Sequence, residues 1–345
     1  MAGRKTVYNN IVTDEDWEKV CDHNVDLLQE FIQYNKSIDR SPQTVKQYFY
    51  QLKIFFVWNL KYNKNKPFYE VKKRDFVRYF GWVSEDLQAS PNRIASLRAV
   101  LSSLSNYIER FMDEEEDYEN FRNIVKIIES PAKVAVREKS VFTETDINEM
   151  LNKLVEDKRY QIACCLALAV ASGSRKSELT RFKCNYFTDD NIILGCMYQT
   201  PEEIKTKGRG KMGKPLLKYT FVKQFKPYFD LWMKERDRLG IDSEWLFVRK
   251  VKGEWVQAVD ETLSSWAETI NRYTDKDFYF HANRHLWTTN LKRAGIPSDV
   301  IKELQGWESE EMVSIYSDLD VSETLKKYFD ENGIKEVAQA NLTDL

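Results

Sequence analysis

Over its first 130 residues the chain places apolar side chains three and four positions apart, the spacing of helices that each bury one face, and breaks the pattern at polar segments. Val25, Leu28, Phe31 and Ile32 form one stripe, and Val45, Tyr48, Phe49, Leu52, Phe55 and Phe56 form the next. The second stripe opens at Ser41-Pro42, and a later one, through Ile94, Leu97, Leu101, Leu104 and Ile108, opens at Ser90-Pro91. In both places the serine hydroxyl can cap orphan backbone N–H groups, and proline suits the first helical position because it has no N–H to leave unpaired. A further helix is expected over Arg74–Leu87, after the break at Asn63–Pro67. This pattern predicts an all-helical domain over residues 1–133. Apolar periodicity lapses from the acidic run Asp113–Glu119 through Ser130-Pro131, and residues 134–142 read as a linker.

From Thr143 the pattern becomes mixed. Thr143 with Asp146 three residues on is a near capping box, Tyr160–Ala171 reads as a buried helix, and Arg175–Phe182 as another. Asn191–Met197 and Pro215–Val222 favour strands, flanking a basic, glycine-rich turn at Lys205–Lys214, and a short strand is expected at Trp245–Val248. Helices resume over Lys223–Arg238, Thr262–Tyr273, His281–Ala294 and Ser298–Gln305. The expected fold is mainly α with a small β-sheet: a helical N-terminal domain and an α+β domain over 143–345. The longest apolar stretch, Ile162–Ala171, is about half of the ~20 residues a membrane span needs. With no hydrophobic signal core at the N-terminus and five cysteines lacking a C-x-x-C pair, a cytoplasmic protein without membrane partner is expected.

A net charge of -2 argues at first against a nucleic-acid partner, which needs an excess of Lys and Arg. The charge is unevenly distributed, however. Residues 36–110 carry 14 basic against 6 acidic groups, and 204–226 carry 8 basic groups and no acid. Residues 1–35 and 308–345 are acidic, with 7 against 3 and 10 against 3. Two basic surfaces are thus hidden in a near-neutral total.

Several short constellations could carry chemistry. His281 and Arg284 are three apart at the start of a predicted helix, on one face of a first turn suited to an anion. His281 and His285 lack the intervening Glu and a third ligand that a zinc site would need, so no metal is expected. Gly208–Lys214 matches the first part of a phosphate-binding loop, but Pro215 stands where Ser or Thr is required and the following residues read as strand, so a basic β-turn is the better reading. Ser174-Arg175-Lys176-Ser177-Glu178-Leu179 follows a glycine turn between two helices and could be only a capping box. Leu304-Gln305-Gly306-Trp307 precedes Tyr316 by nine residues, and a lone tyrosine is ordinarily core or surface.

Together these elements resemble the tyrosine site-specific recombinase, or phage integrase, family, over most of the chain. Arg175 and Glu178 match its first arginine box, Lys207 ahead of Pro215-Leu216 its β-hairpin lysine, and His281, Arg284 and His285 its His-x-x-Arg-His box. Gly306-Trp307 and Tyr316 match the segment ending in the nucleophile, with Trp307 in place of the commoner histidine. Ser41, Pro42, Thr44 and Tyr48 match the opening of the family's helical core-binding domain. The resemblance implies metal-free, cofactor-free cleavage and rejoining of DNA through a 3'-phosphotyrosine. Tyr316 would attack, Arg175 and Arg284 would neutralise the phosphate, Lys207 would protonate the leaving oxygen and His281 would accept the tyrosine proton. Trp307 would hydrogen-bond a nonbridging oxygen, with Glu178 and His285 orienting the others. DNA contacts are expected from Arg40, Lys46, Lys53, Arg93, Arg98, Arg209 and Lys211, the two basic blocks forming a clamp. The implied partners are double-stranded DNA with paired sites, a homotetramer joined through the acidic tail from Val321, and accessory DNA-binding proteins. Residues 1–35 look too short and too acidic for an additional arm-site domain. The alternatives are a catalytically silent DNA-binding regulator, a type IB topoisomerase-like enzyme and a telomere resolvase.

Overall fold

The computed structural model of the protein describes residues 10–129, 140–206 and 213–319, with the backbone of 329–330 and 333–334. These residues divide into two compact units, one on either side of the expected linker.

The first unit is helical among the described residues: α1 (Asp14–Glu18), α2 (Asp22–Ser37), α3 (Pro42–Tyr62), α4 (Lys73–Glu85) and α5 (Pro91–Phe111), with 3-10 turns at Phe68–Glu70 and Ile124–Ile127. Both serine caps form as the sequence predicts. The Ser41 hydroxyl accepts from the Thr44 N–H at 3.2 Å, and Ser90 from the Arg93 N–H at 3.3 Å. The break after α3 turns through Lys64 and Asn65, whose φ angles are 61° and 50°. Asn65 secures that turn by accepting from the Cys21 N–H and donating to the Lys19 carbonyl. The apolar stripes meet in one core, where the Phe55 ring stacks on Phe76 at 5.5 Å and meets Tyr79 edge-on at 5.0 Å. Helix α1 has no buried residue, so it leaves no apolar stripe by which the sequence would announce it.

The second unit contains α6 (Glu144–Glu156), α7 (Tyr160–Ser172), α8 (Lys176–Leu179), β1 (Ile192–Ile193), β2 (Met197–Gln199), β3 (Ile204–Thr206), β4 (Lys214–Leu216) and β5 (Tyr219–Phe221). It continues through α9 (Val222–Leu239), β6 (Val248–Val251), β7 (Glu254–Gln257), α10 (Asp260–Ile270), α11 (Phe280–Arg293), α12 (Ser298–Gln305), α13 (Glu311–Tyr316), β8 (Phe329–Asp330) and β9 (Gly333–Ile334). Helix α7 is buried nearly all round, as a helix apolar on every face must be, and α6, α9 and α11 pack against it. The capping box at α6 is complete: Thr143 and Asp146 exchange backbone-to-side-chain bonds at 2.7 and 3.2 Å. No helix among the described residues is long and apolar enough to cross a membrane.

The strands depart from expectation in ways that matter for the site. The strand expected over Pro215–Val222 is split: β4 pairs with β3 (Thr206 opposite Lys214), and β5 pairs with β2. The bend between them is tied by Thr200, whose N–H donates to the Lys218 carbonyl and whose hydroxyl accepts from the Lys218 N–H, both at 3.0 Å. The strand expected over Asn191–Met197 instead reverses at Leu194 and Gly195, both at positive φ, so that β1 folds back on β2. The segment expected as a strand at Trp245–Val248 contributes only an isolated bridge and the start of β6, which pairs with β7 across a turn at Lys252 and Gly253. The helix expected over Arg175–Phe182 is one turn long: it ends at Leu179, and the chain runs on to a bridge between Lys183 and Trp245.

Candidate active site

Helix α11 supplies the centre of the site. Its first turn carries His281, exposed, and Arg284, fully buried, so the two side chains that share a face in sequence lie at the rim and on the floor. Arg284 Nη1 donates to the Gly173 carbonyl at 2.9 Å and to Gln305 Oε1. Gln305 in turn donates from Nε2 to the Ser172 carbonyl at 3.0 Å. The C-terminal carbonyls of α7, the negative end of a helix dipole, therefore hold the guanidinium both directly and through one amide. They are accessible because Gly173 takes the left-handed conformation (φ 59°), and a Cβ there would lie 2.6 Å from Gln305 Nε2 and 2.8 Å from the Trp287 ring. Burial lowers the pKa of Arg284 to about 10, helped by the charge of Arg175, which leaves it cationic at neutral pH.

Tyr316, the last residue of α13, points its hydroxyl at His281 Nε2 across 2.9 Å. Its ring stacks on Trp307 at 5.0 Å with 10° between the planes, and also packs against His285 at 4.8 Å. The Arg284 guanidinium lies 4.7 Å from the Trp307 ring centroid and 5.5 Å from that of Tyr316. Trp307 and Tyr316 are 6 % and 8 % exposed, which leaves His281 on the open side. Trp307 Nε1 and Arg284 Nε and Nη2 are buried and make no hydrogen bond. Buried donors without acceptors are costly, and the two side chains that carry these three both lie against the Tyr316 ring. An oxyanion such as phosphate would satisfy them.

Arg175 and Glu178 form a second pair. Glu178 accepts from the Arg175 backbone N–H at 3.1 Å and from its Nη1 at 2.8 Å, so it caps α8 and holds the arginine side chain. The cap is therefore Arg175, while Ser174 bonds Ser172 instead. Glu178 is also bonded at 3.0 Å to Lys218 Nζ, itself 1 % exposed. Burial pushes the Glu178 carboxyl up, but Lys218 and Arg175 together outweigh it and hold the group at about 2. His285 Nδ1 faces Asp318 Oδ1 at 3.6 Å, and Asp318 is anchored through its N–H to the Thr289 hydroxyl at 2.9 Å.

Of the expected site residues, the structure gathers His281, Arg284, Trp307, Tyr316 and His285 into one cluster, and the charges of Arg175 and Glu178 act on Arg284. Lys207, Arg209 and Lys211 lie outside the described residues, in the sequence between β3 and β4, and the tail from Val321 lies outside them as well. Two neighbours were missed. Gln305 carried no signal beyond its place before Gly306-Trp307, and Lys218 was counted as part of a basic surface although it is interior.

The expected DNA contacts of the first unit have divergent surroundings. Arg40 and Lys46 edge an open groove floored by Val45, Phe49 and Tyr50, with Lys36 beside them. Lys53 instead lies 4.0 Å over the Trp17 ring, and Arg98 donates from Nε and Nη2 to the carbonyls of Ile128 and Lys126. Arg93 is partly buried, and desolvation lowers its pKa. The basic block 36–110 is therefore not wholly a surface: Lys66 also pairs with the buried carboxylate of Asp75 at 2.9 Å.

Comparison with known proteins accords with this arrangement. Residues 140–323 match the model of the phage integrase family. The SPbeta prophage-derived recombinase-like protein YomM of Bacillus subtilis is 34 % identical over 258 residues, covering 74 % of this chain and 73 % of the relative. Tyrosine recombinase XerC of Caldanaerobacter subterraneus is 24 % identical over 320 residues, 86 % of this chain and 84 % of that one. Among solved structures, XerH bound to a palindromic difH substrate superposes with a TM-score of 0.62 at 17 % identity, covering 82 % of this chain and 78 % of that one. A lambda integrase tetramer bound to a Holliday junction gives 0.60 at 17 % identity, covering 85 % and 76 %. With a family match over more than half of its length and a one-third identical relative spanning three quarters of it, the chain belongs to the phage integrase family, the tyrosine recombinases of site-specific DNA recombination.

Proposed function

We propose that Tyr316 is the nucleophile of strand cleavage. Its oxygen attacks the scissile phosphorus while His281 takes its proton, the P–O5' bond breaks, and the 3' phosphate is left on the tyrosine. The reading is carried by the 2.9 Å contact of Tyr316 Oη with His281 Nε2, with Trp307 and Arg284, which carry three unpaired buried donors, against the tyrosine ring. Arg284 and Arg175 neutralise the nonbridging oxygens, and Trp307 Nε1 donates to one of them. Lys207 protonates the leaving 5' oxygen. Since the phosphotyrosine conserves the energy of the bond, attack by a 5' hydroxyl rejoins the strand by the reverse path.

The substrate is double-stranded DNA with paired sites, engaged by a homo-oligomer in the cytoplasm. The relatives support this: XerH is bound to a palindromic site and lambda integrase is a tetramer on a Holliday junction. The tetramer would be joined through the acidic C-terminal tail, with accessory DNA-binding proteins taking part.

The test is a nicked suicide duplex carrying the protein's own site, located by footprinting on DNA flanking its gene. A covalent adduct is expected, and Tyr316→Phe should lower its formation by at least ~10³-fold. An adduct that persists in Tyr316→Phe would overturn the assignment, and specific binding with no adduct in the parent would favour a silent regulator. Lys207→Ala should be slow on the ordinary substrate and recover with a 5'-thiol leaving group. Without recovery the proton donor is another lysine, Lys205 or Lys211.

A further inference from the structure

Lys218 is a buried cation for which the cleavage chemistry has no direct use. It lies in the bend between β4 and β5, with its backbone clamped by Thr200, and its Nζ reaches Glu178 Oε2 at 3.0 Å. The other oxygen of the same carboxylate is 2.8 Å from Arg175 Nη1. Glu178, fully buried, is thus shared between a cation turned toward the protein interior and one that is part-exposed. Among the described residues, the charged groups acting on this carboxylate and its partners are Arg175, Lys218 and Arg284.

The arrangement poses an electrostatic problem and answers it. A carboxylate in contact with Arg175 orients the guanidinium but also cancels its charge. A phosphodiester carries one negative charge, and its pentacoordinate transition state carries nearly two, so a cancelled arginine would be of little use. Lys218 opposes Glu178 through Oε2, while the Arg175 guanidinium takes Oε1. Arg175, Glu178 and Lys218 then sum to one positive charge, and Arg284 adds another. Without Lys218 the same groups would sum to a single positive charge.

We propose that Lys218 is a positioning and charge-balancing residue for strand cleavage, which lets Glu178 hold Arg175 in place without removing its charge from the scissile phosphate. The proposal rests on the reading that Arg175 and Arg284 grip that phosphate. Lys218 does not touch DNA in this scheme, so its effect falls on the rate of cleavage and not on DNA affinity.

The experiment measures the first-order rate of adduct formation on the nicked duplex at saturating DNA, with affinity and thermal melting measured separately. Lys218→Met should slow cleavage at neutral pH by about tenfold or more while leaving Kd within about twofold. The deficit should narrow near about pH 5, because Glu178 deprived of its main counter-charge takes up a proton and stops opposing Arg175. The double variant Lys218→Met/Glu178→Gln, which removes both charges together, should return to within about threefold of the parent. A double variant as slow as Lys218→Met, a deficit that does not change with pH, or an unchanged rate in Lys218→Met would each overturn the proposal. If Lys218→Met does not fold, the double variant, which leaves no unpaired buried charge, decides alone: a rate within about threefold of the parent supports the proposal and one slower by about tenfold overturns it. Arg175→Ala separates the two readings. A normal rate in that variant overturns the phosphate grip itself, and a slow one with Lys218→Met unaffected overturns only the role of Lys218.

Discussion

Tyr316 is held by residues outside its own helix: His281 bonds its hydroxyl, while Trp307 and His285 pack its ring. Behind them, Gln305 joins Arg284 to the end of α7. Gln305→Leu should therefore slow adduct formation by about tenfold and lower stability by ~1–3 kcal/mol, since the Ser172 carbonyl loses its donor and Arg284 one acceptor. Single-turnover cleavage and denaturant unfolding check the two effects, and an unchanged cleavage rate would remove Gln305 from the site. Glu178 carries a pH signature with a definite sign. Its carboxyl sits at about 2 against an ordinary 4.5, so the stability it contributes is in place above the higher value and is lost as pH falls toward the lower. Glu178→Gln should accordingly be less stable than the parent at neutral pH, with the gap closing in acid titrations of unfolding. A gap that widens in acid would contradict the buried ion pairs.

The elements positioning these residues depend on a few local decisions. Gly173 ends α7 at positive φ and turns two carbonyls toward Arg284 and Gln305. Gly173→Ala would place a methyl group within 3 Å of both Gln305 and Trp287 and add the ~1–2 kcal/mol penalty of a left-handed alanine. Melting temperature and cleavage rate should fall together, and a variant that loses neither would show that the α7 terminus does not set the position of Arg284. The helix itself is secured by packing: Leu168 is fully buried, and Leu168→Ala should cost about 2–5 kcal/mol in denaturant unfolding. By contrast, Thr143→Ala at the exposed cap of α6 should cost only ~1 kcal/mol.

For the whole molecule, a net charge of -2 conceals two basic blocks, and proposed DNA binding should respond to the blocks and not the total. With about 6–10 phosphate contacts, affinity should fall by ~10³–10⁵ between about 50 and 200 mM salt. Fluorescence anisotropy over that range tests this, and a flat response would exclude a phosphate-based interface. The same blocks show how far sequence reading extends. The serine caps at Ser41 and Ser90, the capping box at Thr143, the helical first unit and the grouping of His281, Arg284, Trp307 and Tyr316 were legible, because caps and helical periodicity are local and the boxes match a family in order. The bend at Lys218, the one-turn α8 and the hairpins at Leu194 and Gly253 were not, because strand partners are chosen by contacts remote in sequence. By itself the sequence determined the long helices with a buried apolar stripe and which residue types are available for phosphoryl chemistry. Only the tertiary structure decided that Lys218 faces inward to Glu178, that Lys53 packs on Trp17 and that Gln305 supports Arg284. The physical reason is that burial, which turns a charge from a solvated surface group into a partner that must be matched, is a property of three-dimensional neighbours and leaves no mark on composition.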